Sequence, residues 1–310
     1  MSIPPEKIKS IEDYIICSNK EAIKPVICIL GANGQLGREF LAYLNAIDYK
    51  NFVGFDSSLD ISDKISIKKL KAVPCEDCNV RRFPDIIINC AAYNNVYGPE
   101  TQDLEKRKEE KEKCFRSNAL GPKYLAEFCK KRKIKLIHFS TNYVFEDNSF
   151  TMKKYTEFDE VKPFLFYGFS KLCGEKFIQE RLASSSIIIR TSWLFSKEGS
   201  LVKIIKKHAE EDKILTITNA VGNPTNTLDL VKQTLFLIEH KASGLYHCVN
   251  GGTTTKKQYV DKVIELLGLN VKTGTLGSGP SMPLDNFMLD MEDINIMRPW
   301  EDSAEQCFRE

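Results

Sequence analysis

The sequence predicts an α/β fold, a doubly wound parallel sheet with helices on both faces and a smaller C-terminal lobe. Three observations carry this expectation. Strand and helix patterns alternate through the first two thirds of the chain, the strands are short apolar runs of the kind buried on both faces, and the rhythm breaks after Arg190. The length of 310 residues also exceeds one ordinary domain.

Residues 25–30 form the first β-branched, apolar run, followed by a glycine-rich stretch at 31–37 and helical apolar spacing at 38–46. That order reads as strand, turn, helix. The run 52–55 ends at Asp56, and residues 85–90, entered from Pro84, form a third strand. Residues 118–133 combine helical spacing with a basic end, which suits the negative end of a helix dipole, and a strand follows at 135–140. A helix at 167–181 then leads to a strand at 187–190. Further on, Gly199, Gly222, Pro224, Gly244, Gly251 and Gly252, then the stretch 274–283, interrupt shorter elements. The expected organisation is a polar extension at 1–24, a main domain at 25–190 rejoined by about 226–249, and a lobe from 191–225 and 250–310.

Composition narrows the function. Lys and Arg number 44 against 42 Asp and Glu, a net charge of +2, so no global field draws in nucleic acid or a membrane surface. The first residues lack the apolar block of a secretory leader, and no uncharged apolar run reaches the roughly 18 residues of a membrane span. Ten cysteines scattered through apolar segments fit a reducing cytoplasm, the expected location. The close pair Cys75 and Cys78 lacks a second ligand pair, so we expect a polar loop with two free thiols and no metal. The charged run 105–113 is expected to be a solvated helix laced by ion pairs.

Gly31, Gly34 and Gly37 form G-x-x-G-x-x-G directly after a strand and before a helix, the context of a dinucleotide-binding turn. Glycines let backbone N–H groups approach a pyrophosphate, and the helix starting near Gln35 aims its positive end at that charge. Asn33, Gln35, Leu36 and Arg38 share this expected cofactor site. Asp56, about twenty residues on, is placed to accept from the adenosine ribose hydroxyls. Asp56 alone points to NADH, whereas Arg38 with Ser57 and Ser58 accommodates the extra phosphate of NADPH, so both cofactors stay open.

Tyr167 and Lys171 lie four apart on a predicted helix and share a face. A neighbouring ammonium is expected to lower the phenol pKa from near 10 and make Tyr167 a tunable proton donor. Thr141, upstream after Ser140, is the expected second donor to the same substrate oxygen.

The glycine spacing is typical of the short-chain dehydrogenase/reductase superfamily, and the length resembles its extended branch. Asn89-Cys90-Ala91-Ala92-Tyr93 resembles the N-x-A-A-Y segment beneath the nicotinamide, which places Ala91, Ala92 and Tyr93 with the cofactor. Ser140-Thr141-Asn142-Tyr143-Val144-Phe145 resembles S-T-D-Y-V-F, and Tyr167-Gly168-Phe169-Ser170-Lys171 carries Y-x-x-x-K. With Asn118-Ala119-Leu120-Gly121, Arg190-Thr191-Ser192-Trp193, Val221-Gly222-Asn223-Pro224-Thr225 and Gly244-Leu245-Tyr246-His247, the chain from Val26 onward resembles the dTDP-4-dehydrorhamnose reductase family. The resemblance implies a Rossmann domain and a substrate-binding lobe. It further implies NADPH- or NADH-dependent reduction of the C4 ketone of a UDP- or dTDP-linked 4-keto-6-deoxyhexose, giving an L-rhamnose nucleotide. By the same resemblance Thr141, Tyr167 and Lys171 are catalytic and Lys171 also holds the nicotinamide ribose. Extended-branch relatives pair through two helices, here 118–133 and 167–181, so a homodimer is expected.

Two departures fall where the sugar should lie. Asn142 stands for the Asp of S-T-D, and residues 94–100 read N-N-V-Y-G-P-E where the family has T-A-V-D-K-A-E, so Tyr97 replaces an acid. Tyr97, Glu100, Asn142, Tyr143, Trp193, Asn223 and Thr225 are the expected substrate contacts. The departures leave open a bifunctional 3,5-epimerase/4-reductase making UDP-L-rhamnose, with Tyr143, Tyr97, Cys90 and Cys114 as the nearby acid and base candidates. A third reading is a non-catalytic dinucleotide-binding subunit resembling the regulatory subunit of methionine adenosyltransferase. The intact Thr141, Tyr167 and Lys171 argue against it.

Overall fold

A computed structural model describes residues 24–70, 72–75, 80–149, 151 and 153–309. Six parallel strands form the central sheet: β1 (Ile27–Leu30), β2 (Phe52–Phe55), β3 (Ile86–Asn89), β4 (Lys135–Thr141), β5 (Ser186–Thr191) and β6 (Gly244–His247). Their spatial order is β2-β1-β3-β4-β5-β6, so the chain reverses direction across the sheet between β1 and β3. Leu30 of β1 pairs with Phe55 on one side and Asn89 on the other. Open sheets bind ligands at the carboxyl ends of the strands beside such a reversal.

Alternation along each strand sorts the core into two layers. Ile27, Ile29, Ile86, Ile88, Ile137 and Phe139 face α1 (Gln35–Ala46) and the helix Thr227–Glu239 through Phe40, Leu44, Leu230 and Leu235. Cys28, Leu30, Ile87, Leu136 and Ile188 face α2 (Gly121–Arg132) and α3 (Phe166–Leu182) through Leu125, Phe128, Ile178 and Leu182. A third cluster, from Phe195, Val202 and Ile205 to Val260, Val263, Trp300 and Phe308, packs apart from the sheet.

The structure revises several details of the sequence reading. Residues 104–132 run as one rod, because Asp103 caps a helix at Leu104–Phe115, a π-type turn follows at Arg116–Leu120, and α2 continues. Salt bridges from Lys113 to Glu109 and Arg116 to Glu112 lace the exposed face of the charged run, as expected of a solvated helix. Cys75 does not sit in a polar loop: it is buried on the strand Val73–Cys75, which pairs antiparallel with Val80–Arg82. Cys78 and residues 1–23 lie outside the described residues. Among the described residues no helix is long and apolar enough to cross a membrane, and no cluster of His, Cys, Asp and Glu would hold a metal.

Candidate active site

The glycine turn leaves β1 with Gly31 at φ +74°, a left-handed conformation that a side chain rarely tolerates. A Cβ there would meet Ala91 N at 2.7 Å, so the turn presses against the end of β3. The first turn of α1 carries neither an acidic residue nor a side-chain cap, which leaves its N–H groups available to an anion. Leu36 and Gly37 are buried behind it. At the end of β2, Asp56 accepts from Ser58 N at 2.8 Å and from Asn33 Nδ2 at 3.0 Å. These bonds, the Ser58 backbone first, hold the carboxyl below the usual Asp range. Arg38 donates to the Asn33 carbonyl at 2.8 Å, so Asn33, Arg38 and Asp56 stand together at the end of β2. The Gln35 amide nitrogen is buried beside Gly199 without a partner among the described residues. A tight cradle with an open helix N-terminus and an acid at the end of the next strand fits a dinucleotide.

Ala91, Ala92 and Tyr93 follow β3 directly. Asn118, on the π-type turn, grips Tyr93 at both ends of its peptide, accepting from Tyr93 N at 3.0 Å and donating to Tyr93 O at 3.1 Å. The same amide donates to Ser170 Oγ at 3.2 Å, and Cys114 Sγ lies 3.2 Å from that oxygen. Tyr93 OH donates to Glu110, the one inward-turned acid of the charged run, with a side chain 15% exposed. Sequence reasoning places Asn118 in a motif without a role and misses Glu110. An Asn on a widened helical turn and an acid on an otherwise solvated face were the available signals.

Thr141 ends β4. Its hydroxyl accepts from Tyr143 N at 3.2 Å, donates to Asn142 Oδ1 at 3.4 Å and acts on the Tyr167 phenol. Gly168 lets the start of α3 lie against this turn, since a Cβ there would come within 2.0 Å of the Tyr143 carbonyl. Burial pushes the Tyr167 phenol up to about 12, with the Thr141 hydrogen bond pulling the other way. Lys171 does not lower it as anticipated, because its Nζ is turned to the Phe139 carbonyl at 2.6 Å. Burial brings the Lys171 ammonium down to about 8, opposed by the Glu175 carboxylate. At neutral pH the phenol is therefore protonated and ready to donate.

Around these groups the hydroxyls of Ser140, Thr191 and Ser192, at the ends of β4 and β5, are buried without partners in the described structure. The sequence pattern gives none of the three a role. Tyr143 packs edge to face on Tyr167 at 5.9 Å, and burial first, then the neighbouring Tyr97, itself 56% exposed, pushes its phenol up. Trp193 holds a left-handed φ of +37°, unusual for a bulky residue, with its indole against Gly222. Four of the expected sugar contacts are differently engaged. Glu100 accepts from Phe166 N at 2.8 Å and so caps α3. Asn142 donates to the Met282 carbonyl at 3.1 Å. Asn223 donates to the Gly252 carbonyl at 2.9 Å and accepts from Leu284 N at 2.8 Å, while Thr225 is fully buried and donates to the Asn223 carbonyl at 3.3 Å. Each of these side chains gives at least one polar atom to a backbone group and so ties segments of the framework together.

Fold and site together define a dinucleotide-binding protein of the extended short-chain dehydrogenase/reductase type. A family model described as the RmlD substrate binding domain matches residues 25–277, and the chain belongs to this family, that of the dTDP-4-dehydrorhamnose reductases. It is 33% identical over 266 residues to the dTDP-4-dehydrorhamnose reductase of Shigella flexneri, covering 82% of this chain and 83% of that one. Among solved structures, that of dTDP-4-dehydrorhamnose reductase from Bacillus anthracis in complex with NADP superposes with a TM-score of 0.80 at 28% identity, covering 92% of this chain and 99% of the other. The Clostridium acetobutylicum dTDP-4-dehydrorhamnose reductase gives 0.77 at 29% identity, over 91% and 97% of the two chains.

Proposed function

We propose that the protein is an NAD(P)H-dependent reductase of the C4 ketone of a nucleotide-linked 4-keto-6-deoxyhexose, producing an L-rhamnose nucleotide. The observation that carries this is the meeting of Thr141, Tyr167 and Lys171 at the carboxyl ends of the strands, beside the Gly31 to Gly37 turn. When bound, the reduced nicotinamide nucleotide supplies a hydride to the ketone carbon. Tyr167 gives its proton to the carbonyl oxygen as negative charge develops there, and Thr141 donates a hydrogen bond to the same oxygen. Transfer from a phenol near 12 to an alkoxide is downhill, so the raised phenol suits the reductive direction. Lys171 keeps N–H groups beyond the one given to Phe139 and holds the nicotinamide ribose. Gly31, Asn33, Gly34, Gln35, Leu36 and Gly37 cradle the pyrophosphate, and Arg38 and Asp56 take the adenosine end.

The names of the relatives support a dTDP-linked sugar, and a UDP-linked one belongs to the same reading. Tyr97, Tyr143 and Trp193 form the aromatic wall for the apolar face of the deoxysugar. Residues 191–225 and 250–310 make up the substrate-binding lobe. A homodimer through residues 104–132 and α3 is supported by Phe115, Phe166 and Phe169, which run together there, with Phe169 46% exposed. The test is oxidation of NADPH or NADH with dTDP- and UDP-linked 4-keto-6-deoxyhexoses, with the product configured by NMR. If neither cofactor is oxidised with any such sugar, the reading is removed.

A further inference from the structure

Below Lys171 lies a pair of charges that the proton transfer does not use. Glu175, one helical turn on, and Arg190, on β5, form a buried bidentate ion pair, Nε to Oε1 at 3.0 Å and NH2 to Oε2 at 2.7 Å, with the side chains 1% and 4% exposed. The Arg190 guanidinium also lies over the Phe145 ring at 5.1 Å, and Phe145 stacks on Tyr155 at 4.2 Å. The arginine fork is thereby fixed, and the carboxylate with it.

The groups around Lys171 are few. Tyr167 and Glu175 share its helix face, Cys114 comes from the helix before α2, Cys90 follows β3, and His138 lies on β4. Burial keeps the phenol, both thiols and the imidazole neutral at pH 7. Glu175 is then the one anion acting on the buried ammonium among the described residues. Left free, a carboxylate one turn away would pair directly with Nζ and occupy the N–H groups that the site requires. Its bond to Arg190 prevents that, and although the guanidinium offsets part of its charge, the carboxylate still acts on the ammonium against burial.

We propose that Glu175 and Arg190 are positioning residues for Lys171: the clamped carboxylate keeps the buried ammonium charged from a distance, and the arginine stops it from taking the ammonium out of the site. The inference rests on Lys171 acting on the nicotinamide ribose and the reacting groups, as set out above.

The test compares the wild type with Glu175→Gln and with the double variant Glu175→Gln, Arg190→Met, which removes both charges and spares the fold an unpaired buried arginine. Two readouts are followed against pH: kcat/KM for a dTDP-linked 4-keto-6-deoxyhexose, and the NADPH dissociation constant from nicotinamide fluorescence. We expect the alkaline loss of both to move to lower pH by about one pH unit or more in each folded variant. A folded double variant whose alkaline limbs stay at the wild-type pH overturns the inference. Lys171→Met, measured in parallel, separates the two levels. If that variant keeps wild-type NADPH affinity and activity, the lysine assignment falls and takes the inference with it. If it loses both while the double variant's limbs are unmoved, the inference alone falls.

Discussion

The rings of Tyr143 and Tyr167 meet edge to face with centroids 5.9 Å apart, so the proposed proton donor is held by an aromatic neighbour that itself reaches Tyr97 at the surface. This contact sets the direction of the donor and joins it to the segment that departs from the family pattern. Replacing Tyr143 with Leu removes the ring and the hydroxyl. We expect KM for the sugar nucleotide to rise and kcat to fall about tenfold or more, with NADPH affinity unchanged, as measured by steady-state kinetics and fluorescence titration.

The pH dependence follows from two groups of opposite tendency. Tyr167, raised to about 12, stays protonated through the whole working range. Lys171, lowered to about 8, loses its proton first as pH rises, so the active form is the one below that value. We expect kcat/KM for ketone reduction to fall above about pH 8, with the first alkaline limb belonging to the lysine. A rate that holds steady to pH 10 would contradict this.

Gly168 offers a test of packing against propensity. Alanine in place of a helical glycine ordinarily stabilises by roughly 1 kcal/mol, but here the added Cβ would lie 2.0 Å from the Tyr143 carbonyl. The backbone must shift, and the clash outweighs the gain. We expect Gly168→Ala to lower stability by about 1–3 kcal/mol in thermal unfolding and to reduce kcat, since Tyr167 is the adjacent residue.

Glu109 and Glu110 are neighbours in the charged run with different duties. Glu109 pairs with Lys113 at the surface, where an ion pair contributes little, and Glu109→Gln should change activity and stability negligibly. Glu110 receives the Tyr93 hydroxyl, and Tyr93 lies in the segment leading to Tyr97. Glu110→Ala is expected to weaken NADPH binding or raise the sugar KM several-fold. Equal behaviour of the two variants in these assays would remove Glu110 from the site.

The parallel sheet and the glycine turn were legible because both rest on local pattern. Uninterrupted runs such as 86–89 admit one environment, buried on both faces, and Gly31 at a positive φ follows a strand as the turn demands. Thr141, Tyr167 and Lys171 were legible through spacing and order. The state of Tyr167 was not, because it depends on where the Lys171 ammonium turns, and the Phe139 carbonyl that takes it is 32 residues away. Asn223 and Thr225 fall in a motif that suggested sugar contact, yet their partners, Gly252, Leu284 and Asn223 itself, are backbone groups that no spacing reveals. Glu110 was hidden for the opposite reason, as one acid among several in a run that reads as solvated throughout.

The most direct measurement is the rate of nicotinamide oxidation by purified protein with a dTDP-linked 4-keto-6-deoxyhexose, for the wild type and Tyr167→Phe side by side. Loss of the proton donor should lower kcat about 10²- to 10⁴-fold while NADPH still binds. A Tyr167→Phe protein that turns over at the wild-type rate, or a wild type that binds NADPH and reduces no such sugar, would contradict the central claim.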